Sequence, residues 1–533
     1  MTPSAEPAIS SRTHERAAAL IIAVAAVLAY FSTLGNYFVR DDFGVVQLLA
    51  SKPAAYFPRW FYTSWMDQIW GFTPDEVRPF PALSYQLSAL AGAGSPWLHH
   101  VFNVILHIAN GLLVLAIART LTMSVTAAGL AGLLFVLLPV HAESVAWITG
   151  RVDSMPALFY LASFLAYARW RRGGSTSHAL YGWSLALFFV ALFTKQNTIT
   201  MVATLAAYDV IVLRQPWTPI ARFVAPYVPF AALTAGYLWL RLQLFGEVAR
   251  EGALTAEGLV QFSTLVERHL AHVITGDADG WRAVVVLALL GLIWVLRLAR
   301  SDERRLILYF GPVWWFIGVA PILVAGYSSP RHVYLAAVGW TLVVAIAFDV
   351  LMTRARVASL QRLVISAALV VLTAYLLPLH RAVRDWNTMA AVSQRAVQDV
   401  RAIAGVLPEG SLIVVGAPAR SWEWAMPFAV QPPFVDADLT TRFEFISPRS
   451  LTCCRGRWFE DTRAALRRWS EGPQPDSAVA MTWDPETGAL SRAQPAASPQ
   501  LGPLIRALLT LESPDDLDRN LVRLLGVLPT KVE

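Results

Sequence analysis

The chain has 533 residues, 56% of them hydrophobic and only 15% charged, with a mean hydropathy of +0.49 and 20 tryptophans. This composition excludes an ordinary soluble enzyme and describes an α-helical polytopic membrane protein, whose solvent is mostly lipid. The formal charge of +6 and pI near 9.4 call for no nucleic-acid partner, because cytoplasmic loops of membrane proteins collect Lys and Arg for topological reasons.

In chain order, about eleven apolar segments approach the roughly 20 residues that cross a bilayer: 17–36, 98–120, 124–140, 153–169, 179–194, 197–213, 221–242, 282–298, 306–325, 334–352 and 363–380. The first runs longer than a signal-peptide core and no A-x-A site follows it, so it is expected to stay as a signal anchor. Arg12, Arg16, Arg169, Arg171, Arg172, Arg214, Arg222, Arg297, Arg305, Arg354, Arg356 and Arg362 flank the segments on one alternating side. By the positive-inside rule that side is cytoplasmic. Residues 1–16 then form a cytoplasmic N-terminus and 17–380 a transmembrane domain. Its loop 37–97, corner 141–152, junction near 195, loop 243–281 and turn 326–333 face outward, as does everything after 380. The segment "AAYFPRWFYTSWMDQIWGF" of the first loop, with Trp60, Trp65 and Trp70, reads as a stretch lying in the headgroup layer.

Residues 381–533 hold more charge and proline and no apolar run long enough to span. "SLIVVGAPAR" predicts a strand entering a turn, and "FEDTRAALRRWSEG" and "SPDDLDRNLVRLLGVL" predict helices. A small outward-facing α/β domain is expected there. The adjacent pair Cys453 and Cys454 cannot staple distant segments and implies no disulfide framework. No internal repeat of the kind found in many secondary transporters is evident.

Five cations sit at outward ends where topology does not ask for them: Arg78, Arg151, Lys195, Arg241 and Arg331. Arg binds phosphate through a planar fork and Lys as a point charge. Beside outward carboxylates they fit a lipid-phosphate-linked substrate; taken singly, each also reads as a snorkelling or ion-paired span end. Asp41 and Asp42 follow Arg40 just past the first segment. Neighbouring side chains in an extended loop point in opposite directions, so one carboxylate can face a cavity while the other anchors the loop. Mutual repulsion and desolvation would raise at least one pKa, as a general base requires. His141, Glu143, Arg151 and Asp153 crowd one outward corner. His141 and Glu143 supply half of a divalent-metal site, with no third ligand marked; a hydrogen-bonded corner is the plainer reading. His99, His100 and His107 read as helix-packing residues.

Several stretches together resemble the transmembrane O-mannosyltransferases that target cadherins, and their bacterial relatives. They are "HHVFNVILHIANGLLV", the corner "LLPVHAESVAWITGRVDSMPALFYLASFLAY", "FTKQNTITMVATLAAYDV", "FVRDDFGVV", "SWMDQIWGFTPDEVRPFPALSYQL", "YLWLRLQLFG", "RHVYLAAVGW" and "RDWNTMAAVSQRAV", in order over about residues 30–395. The resemblance implies a GT-C glycosyltransferase, an integral membrane enzyme, and the richness in Arg and Ala fits a bacterial source, hence an inner membrane. It would take sugar from a polyprenyl-phosphate carrier and deliver it, with inversion, to a hydroxyl of a protein, glycan or lipid on the periplasmic face. Position by position, Asp41 and Asp42 fall on the catalytic acidic pair, with Asp41 the first choice of base. Arg78, Arg151, Lys195 and Arg331 fall on cations for the donor phosphate, and His141, Glu143 and Asp153 on the cavity lining. With Arg and Lys supplying the positive field, a metal is optional. Departures are Val140 where the family has Pro, Gln196 where it has Glu, and an α/β tail in place of the animal proteins' tetratricopeptide repeats. The rival readings are a glycan ligase using a pyrophosphate-linked lipid, a transporter or flippase, and an inactive scaffold.

Overall fold

A computed structural model of the chain describes residues 6–69, 73–92, 94–173, 178–248, 256–276, 281–299, 302–416, 422–449, 455–475, 477–484, 487–492 and 501–526. Trp70, Cys453 and Cys454 lie outside the described residues. The helices are α1 (Glu6–Tyr30), α2 (Asp42–Ala50), α3 (Pro79–Ala91), α4 (Trp97–Thr120), α5 (Val125–Leu137), α6 (Ala142–Ala146), α7 (Arg151–Arg172), α8 (His178–Leu192), α9 (Met201–Ala207) and α10 (Ile220–Val224). They continue with α11 (Val228–Phe245), α12 (Ala256–Thr275), α13 (Trp281–Leu298), α14 (Asp302–Val324), α15 (Ala337–Arg354), α16 (Ala358–Ala404), α17 (Trp422–Ala429), α18 (Arg455–Ser470), α19 (Leu501–Ala507) and α20 (Pro514–Leu525).

The chain is an integral, multi-pass, mostly helical membrane protein with a small sheet. Each apolar segment of the sequence falls on a helix or helical run. Six described helices are long and apolar enough to span, and a seventh if α5 and Pro139–Ala146, bent by 50° at Pro139, count as one. The difference from about eleven has a physical cause in segments such as 197–213, which is built of a 3-10 turn (Gln196–Thr200), α9 and a π turn (Tyr208–Val212). Such irregular backbone is tolerated at membrane depth when protein surrounds it. Leu20, Leu28, Leu287, Leu363 and Val370, on α1, α13 and α16, are large apolar side chains left exposed, as a lipid solvent allows. Where helices cross closely, side chains vanish: a Cβ on Gly132 would clash with the Gly111 backbone of α4, and Gly311 and Gly339 bring α14 and α15 together in the same way.

The 47-residue α16, about 70 Å long at 1.5 Å per residue, runs from the apolar bundle into the C-terminal region. There Ala396, Val397, Val400 and Ala404 pack into a core with the first loop and a four-stranded sheet. The strands are β1 (Leu412–Val415), β2 (Glu444–Ile446), β3 (Ala478–Asp484) and β4 (Ala489–Arg492). Their order is β2-β1-β3-β4, parallel except for the β3–β4 hairpin. α17 lies with α16 on one side, and α18, α19 and α20 cover the other with Trp458, Trp469, Leu517 and Leu521. Trp60 and Trp65 are buried, at 1% and 2% exposure, in the core that joins the first loop to this sheet. Protein rather than a headgroup layer surrounds them.

Candidate active site

The first loop enters through Phe38 and Phe43, both packed on Phe434 with ring centroids 4.9 and 4.8 Å away. Between them Arg40 takes a left-handed conformation at φ +56°. A non-glycine residue there costs free energy and is held only where its surroundings determine it. The Arg40 guanidinium lies over Trp386 at 5.3 Å. This reversal separates the two acids. Asp42 is buried at 1% exposure. Its Oδ1 accepts from Thr149 N (2.9 Å) and Thr149 Oγ1 (2.6 Å), and its Oδ2 from Val39 N (3.0 Å). It pins the loop to the 141–152 corner. Burial pushes its carboxyl up to about 7 although these bonds favour the charge. Asp41, partly buried, accepts no hydrogen bond on its carboxylate among the described residues. Burial raises its pKa, while Arg331 and Arg40 oppose that rise.

Opposite lies an ion network built from four chain segments. Lys195 Nζ, just past α8, donates to Asp153 Oδ1 on the first turn of α7. The other carboxylate oxygen of Asp153 is 3.8 Å from Arg331 NH1, and Arg331 Nε is 3.6 Å from Glu143 Oε1. The Arg331 guanidinium rests on the Trp147 face at 4.9 Å. Both ion-pair distances exceed a hydrogen bond, Arg331 Nε has no hydrogen-bond partner among the described residues, and the side chain keeps 22% exposure. Arg331 is therefore a cation held in place with donor capacity to spare. Its turn is clamped by His269 Nε2, which donates to Tyr327 O (2.8 Å), and by His272 Nε2, which donates to Ser328 O (3.0 Å). Arg78, at the start of α3, pairs with Glu76 (2.9 Å), and its Nε has no hydrogen-bond partner among the described residues.

Two of the candidate residues lie fully buried. Arg151 is completely buried. Its Nε donates to Asn103 Oδ1 (2.9 Å), NH1 to Ser84 Oγ (3.1 Å) and Ser88 Oγ (3.3 Å), and NH2 to His99 O (3.0 Å), between the rings of Tyr85 and Phe102. With its fork bonded to these groups and no exposure, it ties α3, α4 and α7 together. His141 is likewise fully buried among Tyr334, Phe135 and His107, at 4.2, 4.4 and 5.4 Å. It packs the corner instead of lining an open cavity. Among the described residues no group of three or more His, Cys, Asp or Glu could hold a metal ion.

Sequence reasoning singled out neither Thr149, which holds Asp42, nor Ser329, whose hydroxyl donates to Glu143 Oε2 (2.5 Å). His332, with Nδ1 4.0 Å from Asp153, was also missed. Burial, then Lys195 and Arg331, hold His332 neutral. Adjacency to Arg151 and Arg331 in the same short motifs was the available signal.

No protein-family model matches the chain. Over 197 residues it is 36% identical to protein O-mannosyl-transferase Tmtc2 of Drosophila melanogaster, which covers 35% of this chain and 21% of that protein. Over 211 residues it is 32% identical to protein O-mannosyl-transferase tmtc2 of Xenopus laevis, covering 37% and 24%. Human protein O-mannosyl-transferase TMTC4 is 29% identical over 222 residues, covering 37% and 29%. The match thus spans between a fifth and a third of the length of these relatives. The fold is similar to that of the crystal structure of ArnT from Cupriavidus metallidurans bound to undecaprenyl phosphate. The TM-score is 0.52 at 13% identity, over 88% of this chain and 93% of that one.

Proposed function

We propose that the chain is a membrane glycosyltransferase that moves a sugar from a polyprenyl-phosphate carrier to a hydroxyl acceptor at the outer membrane face, with inversion at the anomeric carbon. The observation that carries this reading is the division of labour in the acidic pair. Asp42 is spent on Thr149 and Val39, whereas Asp41 keeps a carboxylate without hydrogen bonds, within electrostatic reach of Arg331.

In the reaction the acceptor oxygen attacks the anomeric carbon, its proton passes to Asp41, and the bond from that carbon to the carrier phosphate breaks. The electron pair leaves with the phosphate. Arg331, with Lys195 and Arg78 behind it, is the cation that meets the growing charge. The loose contacts of Arg331 suit this task, because it can turn from Glu143 and Asp153 to phosphate oxygens without breaking a hydrogen bond. The undecaprenyl phosphate on ArnT and the names of the protein O-mannosyl-transferases support the carrier and a protein as acceptor. The flanking cations of the sequence support an outward-facing site in the plasma membrane.

The test is turnover of a polyprenyl-phosphate sugar by purified protein. Asp41→Asn should lose 10²–10⁴-fold in kcat, the range of a positioned base, and Arg331→Ala should weaken donor binding. An Asp41→Asn variant that turns over at the parent rate refutes the assignment.

A further inference from the structure

A cleft of about 550 Å³ opens in the C-terminal region, at the free edge of the sheet. β2 is the end strand, and it lines the cleft together with its flanks Phe443 and Ser447. α17 supplies one wall, with Glu423 and Phe428, and α18 the other, with Trp458 and Arg468. Glu444 N donates to Ser411 O at 3.2 Å, and the β1–β2 register is parallel with Leu412 opposite Glu444. Glu444 and Ile446 therefore turn their main-chain groups to β1. By alternation along the strand, Phe445 turns its N–H and C=O the other way, to the cleft side.

A groove of this kind, walled by helices on both faces of the sheet and floored by a strand edge that is unpaired among the described residues, is complementary to a main chain in extended conformation. The side-chain complement fits alternating residues. Phe428, Phe445 and Trp458 offer apolar and aromatic surface, and Arg468, paired bidentately with Glu444 at 2.8 and 2.9 Å, and Glu423 add charge of both signs to the lining.

The cleft also adjoins the candidate active site. Ile69 of the first loop lines it. A Cβ on Gly44 of α2, two residues past Asp42, would lie 3.1 Å from Ile69 and 3.3 Å from Phe428. Glu423 is within electrostatic reach of Asp41.

We infer that the β2 edge is the docking site of the acceptor, an extended polypeptide segment that adds to the sheet as a fifth strand and presents a Ser or Thr hydroxyl toward Asp41. This rests on the glycosyltransferase reading above, with its protein acceptor, and adds to it the surface that holds the acceptor chain.

The experiment uses the full chain in detergent. The probe is a dye-labelled heptapeptide Thr-Val-Thr-Phe-Thr-Val-Thr, compared with a twin N-methylated at alternate residues, which keeps the side chains and loses the strand-forming N–H groups. Binding by the peptide, at least tenfold weaker for the twin on the unaltered protein, is expected. Phe445→Pro removes the outward N–H but no β1 ladder bond, as edge strands tolerate. It should weaken peptide binding tenfold or more, whereas Phe445→Ala should weaken it less. Asp41→Asn should bind the peptide unchanged. Equal affinity for peptide and twin, or displacement of the peptide by a neutral oligosaccharide, overturns the docking site, whatever the Phe445 variants do. If the donor is consumed while the two peptides serve equally as acceptors, docking fails and the glycosyltransferase reading stands. Edge-dependent peptide binding by a chain that never consumes the lipid-linked sugar means the reverse.

Discussion

Thr149→Val tests the frame around the acidic pair with little change of shape. The substitution exchanges one hydroxyl for a methyl and leaves the Thr149 N–H in its 2.9 Å bond to Asp42. What is lost is the 2.6 Å hydroxyl–carboxylate bond, a charge-assisted contact of the class that contributes about 1.5–3 kcal/mol. At about 2 kcal/mol, the equilibrium for local opening of the first loop from the corner rises roughly 30-fold. Hydrogen exchange read by mass spectrometry should therefore accelerate by that factor in peptides covering Val39–Val45 and Ser144–Val152, with distant helices unaffected. Thr149→Ser, which keeps the hydroxyl, should restore most of the protection. Turnover should fall less than tenfold in Thr149→Val, because the loop remains docked for most of the time. Unchanged exchange would show that the Asp42 bridge does not hold the loop. Unchanged exchange together with a loss of turnover as deep as in Asp41→Asn would make Asp42 the proton acceptor and refute the division of labour.

Lys195→Met leaves Asp153 buried against only the loose contacts of Arg331 and His332. It should cost about 3–5 kcal/mol, while Lys195→Met combined with Asp153→Asn should recover part of the lost thermal stability in detergent; a double variant no better than the single one counts against the pair. Asp41 acts as base only when ionised, and burial raises its pKa. The acid limb of kcat/KM should therefore lie above the ordinary carboxylate range and rise with pH, and Arg331→Gln, which removes an opposing cation, should move it higher still. Arg151→Lys keeps the charge but loses the fork that holds Asn103, Ser84, Ser88 and the His99 carbonyl. It should lower stability by about 2–4 kcal/mol and leave the donor KM of the folded protein unchanged; a tenfold rise in KM at constant stability would return Arg151 to the phosphate site.

The helices were readable because lipid imposes one chemistry on everything that faces it: an apolar run announces a helix wherever it occurs, and all the apolar segments lie on helical stretches. Whether a run spans was less readable. Residues 197–213 have the composition of a span, but they hold 3-10 and π turns at their ends, both packed against α14, and composition does not record such packing. The same limit governs the charges. Arg151 and Arg331 look alike in the sequence, each a lone arginine in a short motif at the end of a segment. They part only in three dimensions. Asn103, Ser84 and Ser88, from two other helices, fill the fork of Arg151, whereas Arg331 meets carboxylates beyond hydrogen-bond distance and an indole face. For Asp41 and Asp42 the opposed directions of neighbouring side chains were legible. Which one is tied down depended on Thr149, 107 positions away. The residue types in a site are thus a local property of the chain, while their availability is set by distant partners. Arg151, buried and bonded at all three of its nitrogens, holds three helices together, whereas Arg331 meets its carboxylates beyond hydrogen-bond distance, and this difference is what the proposed phosphate role of Arg331 rests on.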